Sequence, residues 1–335
     1  MNPCPPLPSP PEPPALDPSG PSTGFRSGFI ALVGRPNVGK STLLNRLVGQ
    51  KVAITSPVAQ TTRRRLRGIH TTPGSQFIFV DTPGIHKPHH LLGERLVRSA
   101  RDTIGEVDLV LLLVNGSEAA GRGDAFIVNL LRQARVPVHV ALNHWDNVPS
   151  SQADHQLASY RELLAEPIEE DGSPPHWPLH PISALTGLGT ETLLASLEQA
   201  LPVGPCLYPP ETVSDQSESA LLAELIREQV LHHTREEVPH SVAVHIDRIV
   251  DDERPGPKGK TRVAVLATVL VERHSQKVIL IGRGGQMLRT IGSGARKEME
   301  ALLNTSVYLE LFVKVVPNWR RSSARLAELG YGGSD

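Results

Sequence analysis

The sequence predicts an α/β domain with a parallel sheet, followed by a smaller α+β domain. The first domain is predicted because short apolar runs alternate with stretches of helical spacing. The apolar runs, which are typical of buried strands, are 28–33, 77–80, 109–114 and 138–142. The helical stretches are 40–47, 92–104, 124–134 and 152–165. Strands that alternate with helices in this way form a parallel sheet with helices on both faces.

The second domain has a different order of elements. A long helical pattern covers residues 217–236, and two further helical stretches surround residues 282–285. A final helix is predicted over 320–329. The alternating segments, which predict strands, are 242–250, 262–271 and 307–316. The resulting order, α-β-β-α-α-β, is typical of a small α+β domain.

Length and proline content predict two domains and a tail. The chain has 335 residues, which is the length of about two domains. Residues 1–24 contain ten of the 30 prolines and no Lys or Arg. They carry too little apolar surface to fold and are predicted to be a disordered tail, with a polyproline ligand as the alternative. The proline-rich residues 201–214 are predicted to link a first domain over 25–200 to a second over 215–331.

The composition excludes several classes of protein. The net charge is −1, so any nucleic-acid surface must be local. The two cysteines, Cys4 and Cys206, exclude a disulfide scaffold or a thiolate metal site and indicate a reducing compartment. The longest apolar run, residues 109–114, is too short to cross a bilayer, and no secretory signal is recognisable.

A phosphate-binding loop is predicted at residues 34–41. The sequence GRPNVGKS matches G-x-x-x-x-G-K-[ST] and lies between a predicted strand and a predicted helix, the context that this motif requires. Backbone N–H groups and the helix N-terminus favour phosphate oxygens, Lys40 can reach the β- and γ-phosphates, and the Ser41 hydroxyl can bind Mg²⁺. A glycine-rich turn that only caps a helix is the alternative. The predicted binding residues are Gly34, Arg35, Pro36, Asn37, Val38, Gly39, Lys40, Ser41 and Thr42.

A second phosphate element is predicted where the strand over 77–80 ends. The tetrapeptide there is Asp81-Thr82-Pro83-Gly84. A carboxylate at a strand end can hold Mg²⁺ through water, and a glycine N–H can approach a γ-phosphate closely. Alone this sequence is an ordinary turn. After a phosphate loop, it predicts a sensor of the third phosphate.

Two further loops fit a guanine base. Residues 143–146 follow a predicted strand, and the carboxylate of Asp146 can accept hydrogen bonds from guanine N1–H and the 2-amino group, donors that adenine lacks. Residues 183–185 follow another short strand, where a backbone N–H can meet guanine O6. The predicted base-site residues are Asn143, His144, Trp145, Asp146, Ser183, Ala184 and Leu185.

The second domain contains a local basic surface around a glycine-rich turn. Residues 254–297 include ten Lys or Arg and one acidic residue, Glu272, which favours a phosphate backbone as partner. A G-x-x-G turn lets a nucleic-acid backbone come close to the main chain. The alternatives are a solvated face and an anionic lipid surface. Residues 308–312 are interpreted as sheet core rather than a base-stacking platform. The predicted RNA contacts are Gly282, Arg283, Gly284, Gly285, Arg289, Arg296 and Lys297.

These motifs together resemble a known family of proteins. GRPNVGKST, Thr-Thr-Arg at 61–63, DTPG, N-x-x-D and Ser-Ala-Leu resemble the five motifs of translation-factor-class GTPases. The segments QTTRRR, TREEVPHSVAV and YLELFVKV resemble the Era family of bacterial GTPases over about 24–331. The resemblance implies an α/β P-loop NTPase domain of the Ras-like type followed by a type II KH domain.

The resemblance also implies roles for individual residues. Catalysis would rest on Lys40, Thr62, Asp81 and Gly84, with Mg²⁺ held by Ser41, Thr62 and Asp81. Asn143 would share the guanine contact with Asp146, while His144 replaces the family's lysine, which puts nucleotide affinity in doubt.

Two further positions bear on the implied reaction and on RNA binding. Ile85 follows Gly84 where Ras-like enzymes have a glutamine, so unaided hydrolysis is expected to be slow. Asn37 is a candidate for holding K⁺, or simply shapes the loop. Gly284 stands where the family usually has a basic residue, so one phosphate contact is in doubt.

The implied partner is the 3′ end of 16S ribosomal RNA, and the implied role is assembly of the small (30S) ribosomal subunit. We expect a slow, Mg²⁺-dependent GTPase that is monomeric and cytoplasmic, with peripheral association at the inner face of the cell membrane as an open addition. The alternative is a GTPase with a membrane-surface or signalling role whose basic second domain binds anionic lipid or protein.

Overall fold

The computed structural model describes residues 24–56, 66–82, 103–165, 176–252 and 262–322, together with Arg325 and Leu329. The predictions for the proline-rich tail, for Thr62, and for Pro83, Gly84 and Ile85 lie outside these residues. Most of the helix predicted over 92–104 also lies outside them.

The first domain is a six-stranded sheet flanked by helices. The sheet has the order β2-β3-β1-β4-β5-β6. Its strands are β1 (Arg26–Gly34), β2 (Leu66–Thr71), β3 (Ser75–Asp81), β4 (Leu109–Asn115), β5 (Val138–Asn143) and β6 (Leu179–Pro181). The helices are α1 (Lys40–Val48), α2 (Arg122–Leu131), α3 (Ser150–Ala165) and α4 (Thr190–Ala200).

One strand of this sheet corrects the sequence prediction. The pairings from β3 through β6 are parallel, as expected, but β2 runs antiparallel to β3. Thr72 and Ser75 join the two strands through a tight turn, in which Thr72 N donates to Ser75 O at 2.8 Å. A connection this short can only reverse the chain. The sequence analysis missed β2 because Arg67 and His70 interrupt its apolar pattern.

The continuous apolar character of the central strands has a simple cause. Leu111 of β4 packs with α1 and α4 on one face of the sheet, and its neighbour Leu112 packs with α2 and α3 on the other. Because both faces are covered, every position of such a strand is buried. Because these strands are parallel, their carboxyl ends lie at the same edge of the sheet. The loops that follow the strands meet at this edge.

A stacked pair of histidines, one buried and one half-buried, joins the last two strands. His139 of β5 and His180 of β6 stack at 5.3 Å between ring centroids, and His139 Nδ1 lies 3.1 Å from His180 Nε2. Ser196 of α4 approaches the same Nδ1 at 3.3 Å. Burial, with a smaller contribution from His180, lowers the pKa of His139 to about 4.

The residues between the domains run along the first domain. Val203 bridges to Arg26 and Ser214 bridges to Gly68. The buried amide of Gln76 fixes the middle of the segment: its oxygen accepts from Tyr208 N at 2.9 Å, and its nitrogen donates to Tyr208 O at 2.8 Å. The predicted link is thus hydrogen-bonded to β3.

The second domain has the predicted order of elements, with one extra helical turn at Val238–Ser241. Its three-stranded sheet has the order β7-β8-β9, antiparallel between the first two strands and parallel between the last two. The predicted final helix covered residues 320–329. In this region the structure describes a short 3₁₀ helix, Trp319–Arg321, then Ser322, and the two later residues Arg325 and Leu329. The elements are α5 (Glu218–His233), β7 (Ala243–Asp252), β8 (Arg262–Val271), α6 (His274–Ile281), α7 (Gln286–Leu303) and β9 (Ser306–Val315).

The interpretation of residues 308–312 as sheet core is wrong for the two aromatic side chains. Leu309 and Leu311 pack against the core beneath the helices. Tyr308 and Phe312 lie on the opposite face and are 38% and 51% exposed. Alternation along a strand puts neighbours on opposite faces, and the described helices α5, α6 and α7 cover one face of this sheet.

The segment after α1 is anchored in both domains. Val52 and Ala53 are buried in the core of the first domain, whereas Ile54 is buried in the core of the second. Thr55 N donates to the buried carboxylate of Glu228 at 2.8 Å. Thr55 is followed by residue 56 and then by the segment that contains Thr62, so the entry to that segment is held by α5.

Lys51 adds an ionic link to this contact. Its ammonium lies 2.6 Å from the carboxylate of Glu228 and 3.1 Å from that of Glu298 on α7. Glu228 is 1% exposed, and Glu298 is 39% exposed. The two carboxylates thus share one cation but differ in access to water.

We predict that stability falls as the pH falls from about 6.5 to about 4 because His139 must take up a proton on unfolding. Above 6.5 both states hold His139 neutral, and within the window only the unfolded state is protonated. The loss should reach roughly 3 kcal/mol. Urea unfolding across this range checks it, with His139→Gln as the control. Identical pH profiles for the two proteins would contradict the assignment.

We predict that Glu228→Ala lowers the free energy of unfolding by about 1 to 3 kcal/mol because it leaves the Thr55 N–H without its buried acceptor and leaves Lys51 with the exposed carboxylate of Glu298. Glu298→Ala removes the exposed half of the same cluster and should change it by less than about 1 kcal/mol. Urea unfolding monitored by circular dichroism compares them. Equal losses in the two variants would show that burial does not govern this contact.

Candidate nucleotide and nucleic-acid sites

The predicted phosphate loop joins β1 to α1. Gly34 ends β1, and a Cβ there would lie 2.3 Å from Leu113 O. Gly39 has φ +95°, and a Cβ there would lie 2.2 Å from Asn143 Nδ2. Both positions therefore require glycine. The helix α1 begins at Lys40, so its first N–H groups face the loop.

Lys40 closes the loop from inside. Its ammonium donates to Gly34 O at 3.0 Å and to Arg35 O at 2.9 Å. Burial lowers the pKa of Lys40 to about 8, an effect that the negative charge of Asp81 partly opposes. The cation is thus held among backbone carbonyls at the place where the motif puts the β- and γ-phosphates.

The remaining predicted residues of the phosphate loop differ in their exposure to solvent. Asn37 is exposed at the tip with φ +62°, a conformation that asparagine tolerates. Val38 is buried in the core, while Pro36 and Thr42 are half-buried. Arg35 turns away to pair with Asp124 of α2 at 2.9 Å, a contact that the sequence analysis missed.

Ser41 and Asp81 come together at the end of β3. Ser41 Oγ lies 3.3 Å from Asp81 Oδ2, and Asp81 is fully buried. Thr82 donates its hydroxyl to Leu32 O at 2.7 Å and so ties the end of β3 to β1. A hydroxyl beside a carboxylate supplies the oxygen ligands that Mg²⁺ prefers. The residues present therefore fit a magnesium ion at this place.

Asn143 connects two loops rather than pointing into open space. Its Nδ2 donates to Val38 O at 2.8 Å, and its Oδ1 accepts from Ala184 N at 2.8 Å. The side chain is 1% exposed. The N–H of Ala184 is one of the backbone donors that the sequence analysis offered to guanine O6. In the structure it donates to Asn143 instead and fixes the loop.

The base loop continues from Asn143. His144 has φ +63°, and its Nδ1 lies 3.0 Å from Asn115 Oδ1. An amide oxygen only accepts, so Nδ1 carries a proton and Nε2 faces the phosphate loop, 3.7 Å from the position of a Cβ on Gly39. Trp145 N donates to Ile182 O at 3.0 Å. Asp146 follows it and is exposed, so its carboxylate is accessible to a ligand.

The third loop follows β6. Ser183 is buried, and its hydroxyl accepts from Thr186 N at 3.1 Å. Leu185 is 68% exposed beside the base loop. Arg46 of α1 donates to the carbonyl oxygens of Ala184 and Leu185. The structure thus brings the predicted phosphate and base loops together at the carboxyl ends of the strands.

Sequence analysis missed Asn115, which ends β4 and orients His144. Its oxygen also accepts from the Ser117 hydroxyl at 2.7 Å. The available signal was a polar residue that closes a continuous apolar run, at the same sheet edge as Asp81 and Asn143.

The G-x-x-G turn lies between α6 and α7. Gly284 and Gly285 have φ +58° and +78°, and a Cβ on either would meet nothing within 4 Å. The main chain is therefore open on this side, as close approach of a nucleic-acid backbone requires. Gly282 is restricted, since a Cβ there would lie 2.7 Å from Met287 Cβ.

Exposed cations and apolar residues surround this turn. The predicted RNA contacts Arg283, Arg289, Arg296 and Lys297 are all exposed. Val278 and Ile279 of α6 are 60% and 47% exposed, and sequence analysis missed them. Their signal was the run of four apolar residues, 278–281, because a helix in contact with one core buries fewer than four in succession.

Metal-ligand clusters and membrane-spanning helices are both absent from the described residues. These residues contain no group of three or more His, Cys, Asp or Glu placed to hold a metal ion. Within the same part of the chain, no helix has the length and apolar character needed to cross a bilayer.

The fold and the two sites define a P-loop GTPase domain joined to a KH domain. Family models agree: a "50S ribosome-binding GTPase" matches residues 29–144, and a "KH domain" matches residues 237–320. The chain belongs to the Era family of GTPases. It is 54% identical over 308 residues to GTPase Era of Synechocystis sp., covering 92% of this chain and 93% of the relative. GTPase Era of Nostoc sp. is 55% identical, with 92% and 90% covered.

Solved structures lead to the same family. Era in complex with MgGDPNP and nucleotides 1506–1542 of 16S ribosomal RNA superposes with a TM-score of 0.81 at 38% identity, covering 92% of this chain and 100% of that one. A variant of Aquifex aeolicus Era bound to GDP·AlF4⁻ also gives 0.81, at 37% identity and the same coverage. The expectation of a G domain followed by a KH domain, and of a GTPase, is confirmed.

We predict that Asn143→Ala weakens guanine nucleotide binding by about tenfold or more, because Val38 O and Ala184 N lose the buried group that fixes both loops. Stability should fall by about 2 kcal/mol. Titration with a fluorescent GDP analogue and urea unfolding measure the two effects. Asn147→Ala, at the exposed end of the same loop, is the matched control. Unchanged nucleotide affinity in Asn143→Ala would contradict the role given to this amide.

Proposed function

We propose that this GTPase is a switch that binds the 3′ end of 16S ribosomal RNA and assists assembly of the small ribosomal subunit. One observation carries the proposal: the entry to the segment that contains Thr62 is bonded to Glu228, so the nucleotide domain and the RNA domain share a buried contact. The two similar Era structures, one with a GTP analogue and 16S RNA and one with GDP·AlF4⁻, support it.

The phosphate loop would bind GTP through its main chain and one cation. The ammonium of Lys40 would move from the carbonyls of Gly34 and Arg35 to the β- and γ-phosphates. There its positive charge would stabilise the negative charge that develops while the γ-phosphoryl group is transferred to water and GDP leaves. Asp146 would hold guanine N1–H and the 2-amino group. Asn143 would act by holding the phosphate and base loops at one separation.

Magnesium fits Ser41 and Asp81, and in the proposed site Thr62 would join them. When bound, the ion neutralises charge that develops on the phosphates. Gly84 would approach the γ-phosphate through its N–H. Ile85 offers no hydrogen bond to a water, so the unaided reaction should be slow.

The RNA would bind at the turn of residues 282–285. Its backbone would approach Gly284 and Gly285, where the main chain is open, and phosphates would meet the exposed side chains. The apolar pair Val278 and Ile279 would lie under the bases. Gly284 has no side chain to add a charge, so the other cations must supply the phosphate contacts, namely Arg283, Arg289, Arg296 and Lys297.

A combined binding and turnover experiment tests the proposal. RNA with the sequence of nucleotides 1506–1542 should bind more tightly with a GTP analogue than with GDP in a filter assay. Lys40→Ala should lower GTP turnover by about 100-fold or more, with and without RNA. Equal RNA affinity in both nucleotide states would contradict the switch. Normal turnover in the variant would contradict the nucleotide site.

We also propose that K⁺ supports hydrolysis through Asn37 at the loop tip. Turnover should be higher in KCl than in NaCl at equal ionic strength. Asn37→Gly keeps the left-handed backbone but removes the amide oxygen, so it should lose the difference and keep GTP affinity. Equal turnover of the wild type in the two salts would remove the idea.

For location and assembly state we propose a cytoplasmic monomer, with peripheral contact at the inner face of the cell membrane as a second property. The basic surface of the second domain supports this second property, because it suits anionic lipid as well as RNA. Co-sedimentation with vesicles containing phosphatidylserine tests it, and sedimentation equilibrium tests the monomer.

A further inference from the structure

Within the described part of the chain, the helices α5, α6 and α7 leave one face of the second sheet uncovered. The helices α5 and α7 pack against β7 and β9 on the opposite side, where the apolar core of the domain lies. Of the described residues, Trp319 and Leu329 cover one end of this outer face, next to Ala243. Beyond that end, Phe312 and Tyr308 of β9 are 51% and 38% exposed.

Both aromatic rings lie beside cationic groups. The guanidinium of Arg262 lies 4.9 Å from the centroid of the Tyr308 ring. Lys314 follows Phe312 on the same face, two residues along the strand, and is exposed. Arg262 and Lys314 thus place a cation beyond each ring, while Glu310 lies between the rings on the same face and opposes phosphate there.

A small cavity of about 100 Å³ with a mixed polar and apolar lining lies on the same face, and Thr268, the strand partner of Phe312, is one of its lining residues. Thr268 pairs with Phe312 across the strands, and its hydroxyl donates to Asp247 at 2.7 Å. Lys314 and Arg325 also line the cavity. It therefore offers both cations for a phosphate and a carboxylate that can accept from the amino group of a base.

The spacing of the rings selects the form of the ligand. Tyr308 and Phe312 are four residues apart on one strand, which places them about 13 Å apart. Stacked bases are about 3.4 Å apart. The rings therefore suit bases that are splayed from one another, as in a single strand, and not a duplex.

We propose that this face, defined by Arg262, Tyr308, Phe312, Lys314 and the cavity, is a second site for single-stranded RNA, separate from the turn of residues 282–285. The two rings stack on bases, and Arg262 and Lys314 contact phosphates. The proposal deepens the proposed function and rests on it for the class of ligand. It extends the RNA footprint to the side of the sheet opposite the helices.

The test uses the full chain and two RNA probes. A four-nucleotide RNA matches the length that a G-x-x-G turn clamps, and the longer probe has the sequence of nucleotides 1506–1542. Phe312→Ala and Tyr308→Ala should each weaken binding of the longer RNA by roughly 5- to 100-fold and leave the short RNA unaffected. Gly284→Asp, which puts a negative charge on the turn, should weaken both.

Conservative variants separate stacking from packing. Phe312→Tyr keeps a ring and should keep the affinity for the longer RNA, whereas Phe312→Leu keeps the apolar character and should lose it. Thermal unfolding should be nearly unchanged in all of them because the side chain is exposed. Photo-crosslinking of thiouridine-labelled RNA should label peptides of β9 in the wild type.

The outcomes distinguish this site from the proposed function. If both alanine variants bind the longer RNA normally while Gly284→Asp does not, the second site is overturned, the proposed function stands, and the face is left for a protein partner. If the wild type binds neither RNA, the proposed function itself fails. If Phe312→Leu loses its affinity for the longer RNA and Phe312→Tyr keeps it, the result supports the site directly.

Discussion

The side-chain amide of Asn143 holds the nucleotide site in one arrangement. It bonds Val38 of the phosphate loop at one end and Ala184 of the loop after β6 at the other. Because the amide is buried, water cannot replace either bond. Gly39 lies against the same amide and can carry no Cβ. The loops that bind phosphate and base therefore keep their separation before a nucleotide arrives, which reduces the entropy lost on binding.

A second asparagine, Asn45, fixes the segment that leads from the first domain to the second. Asn45 of α1 accepts from Val52 N and Ala53 N and donates to Ala53 O, so the segment after the helix is fixed to the helix that begins at Lys40. The next residue, Ile54, enters the core of the second domain. One residue, Ile54, thus separates Ala53, which is fixed by α1, from Thr55, which is fixed by Glu228 of α5. This path consists of buried hydrogen bonds and packed side chains, which have few alternative arrangements.

The sequence predicted those parts of the molecule whose chemistry is local. The phosphate loop was predictable because a glycine pattern, a lysine and a hydroxyl act over eight consecutive residues. The roles of Asn115 and Glu228 were not, since each depends on a partner far along the chain. The antiparallel strand β2 was missed because two polar residues interrupt its apolar pattern. Tyr308 and Phe312 were misplaced because alternation shows that a strand has two faces but does not show which of them the helices cover.

The strength of the contact at Glu228 bears on whether it can take part in a switch. Its buried carboxylate accepts from Thr55 and from the partly exposed Lys51, and loss of such a contact costs about 1 to 3 kcal/mol. Inverting a two-state equilibrium from 1:99 to 99:1 needs about 5.5 kcal/mol. The contact at Glu228 lies below that figure, and the link through Glu298, which is exposed, contributes less than about 1 kcal/mol.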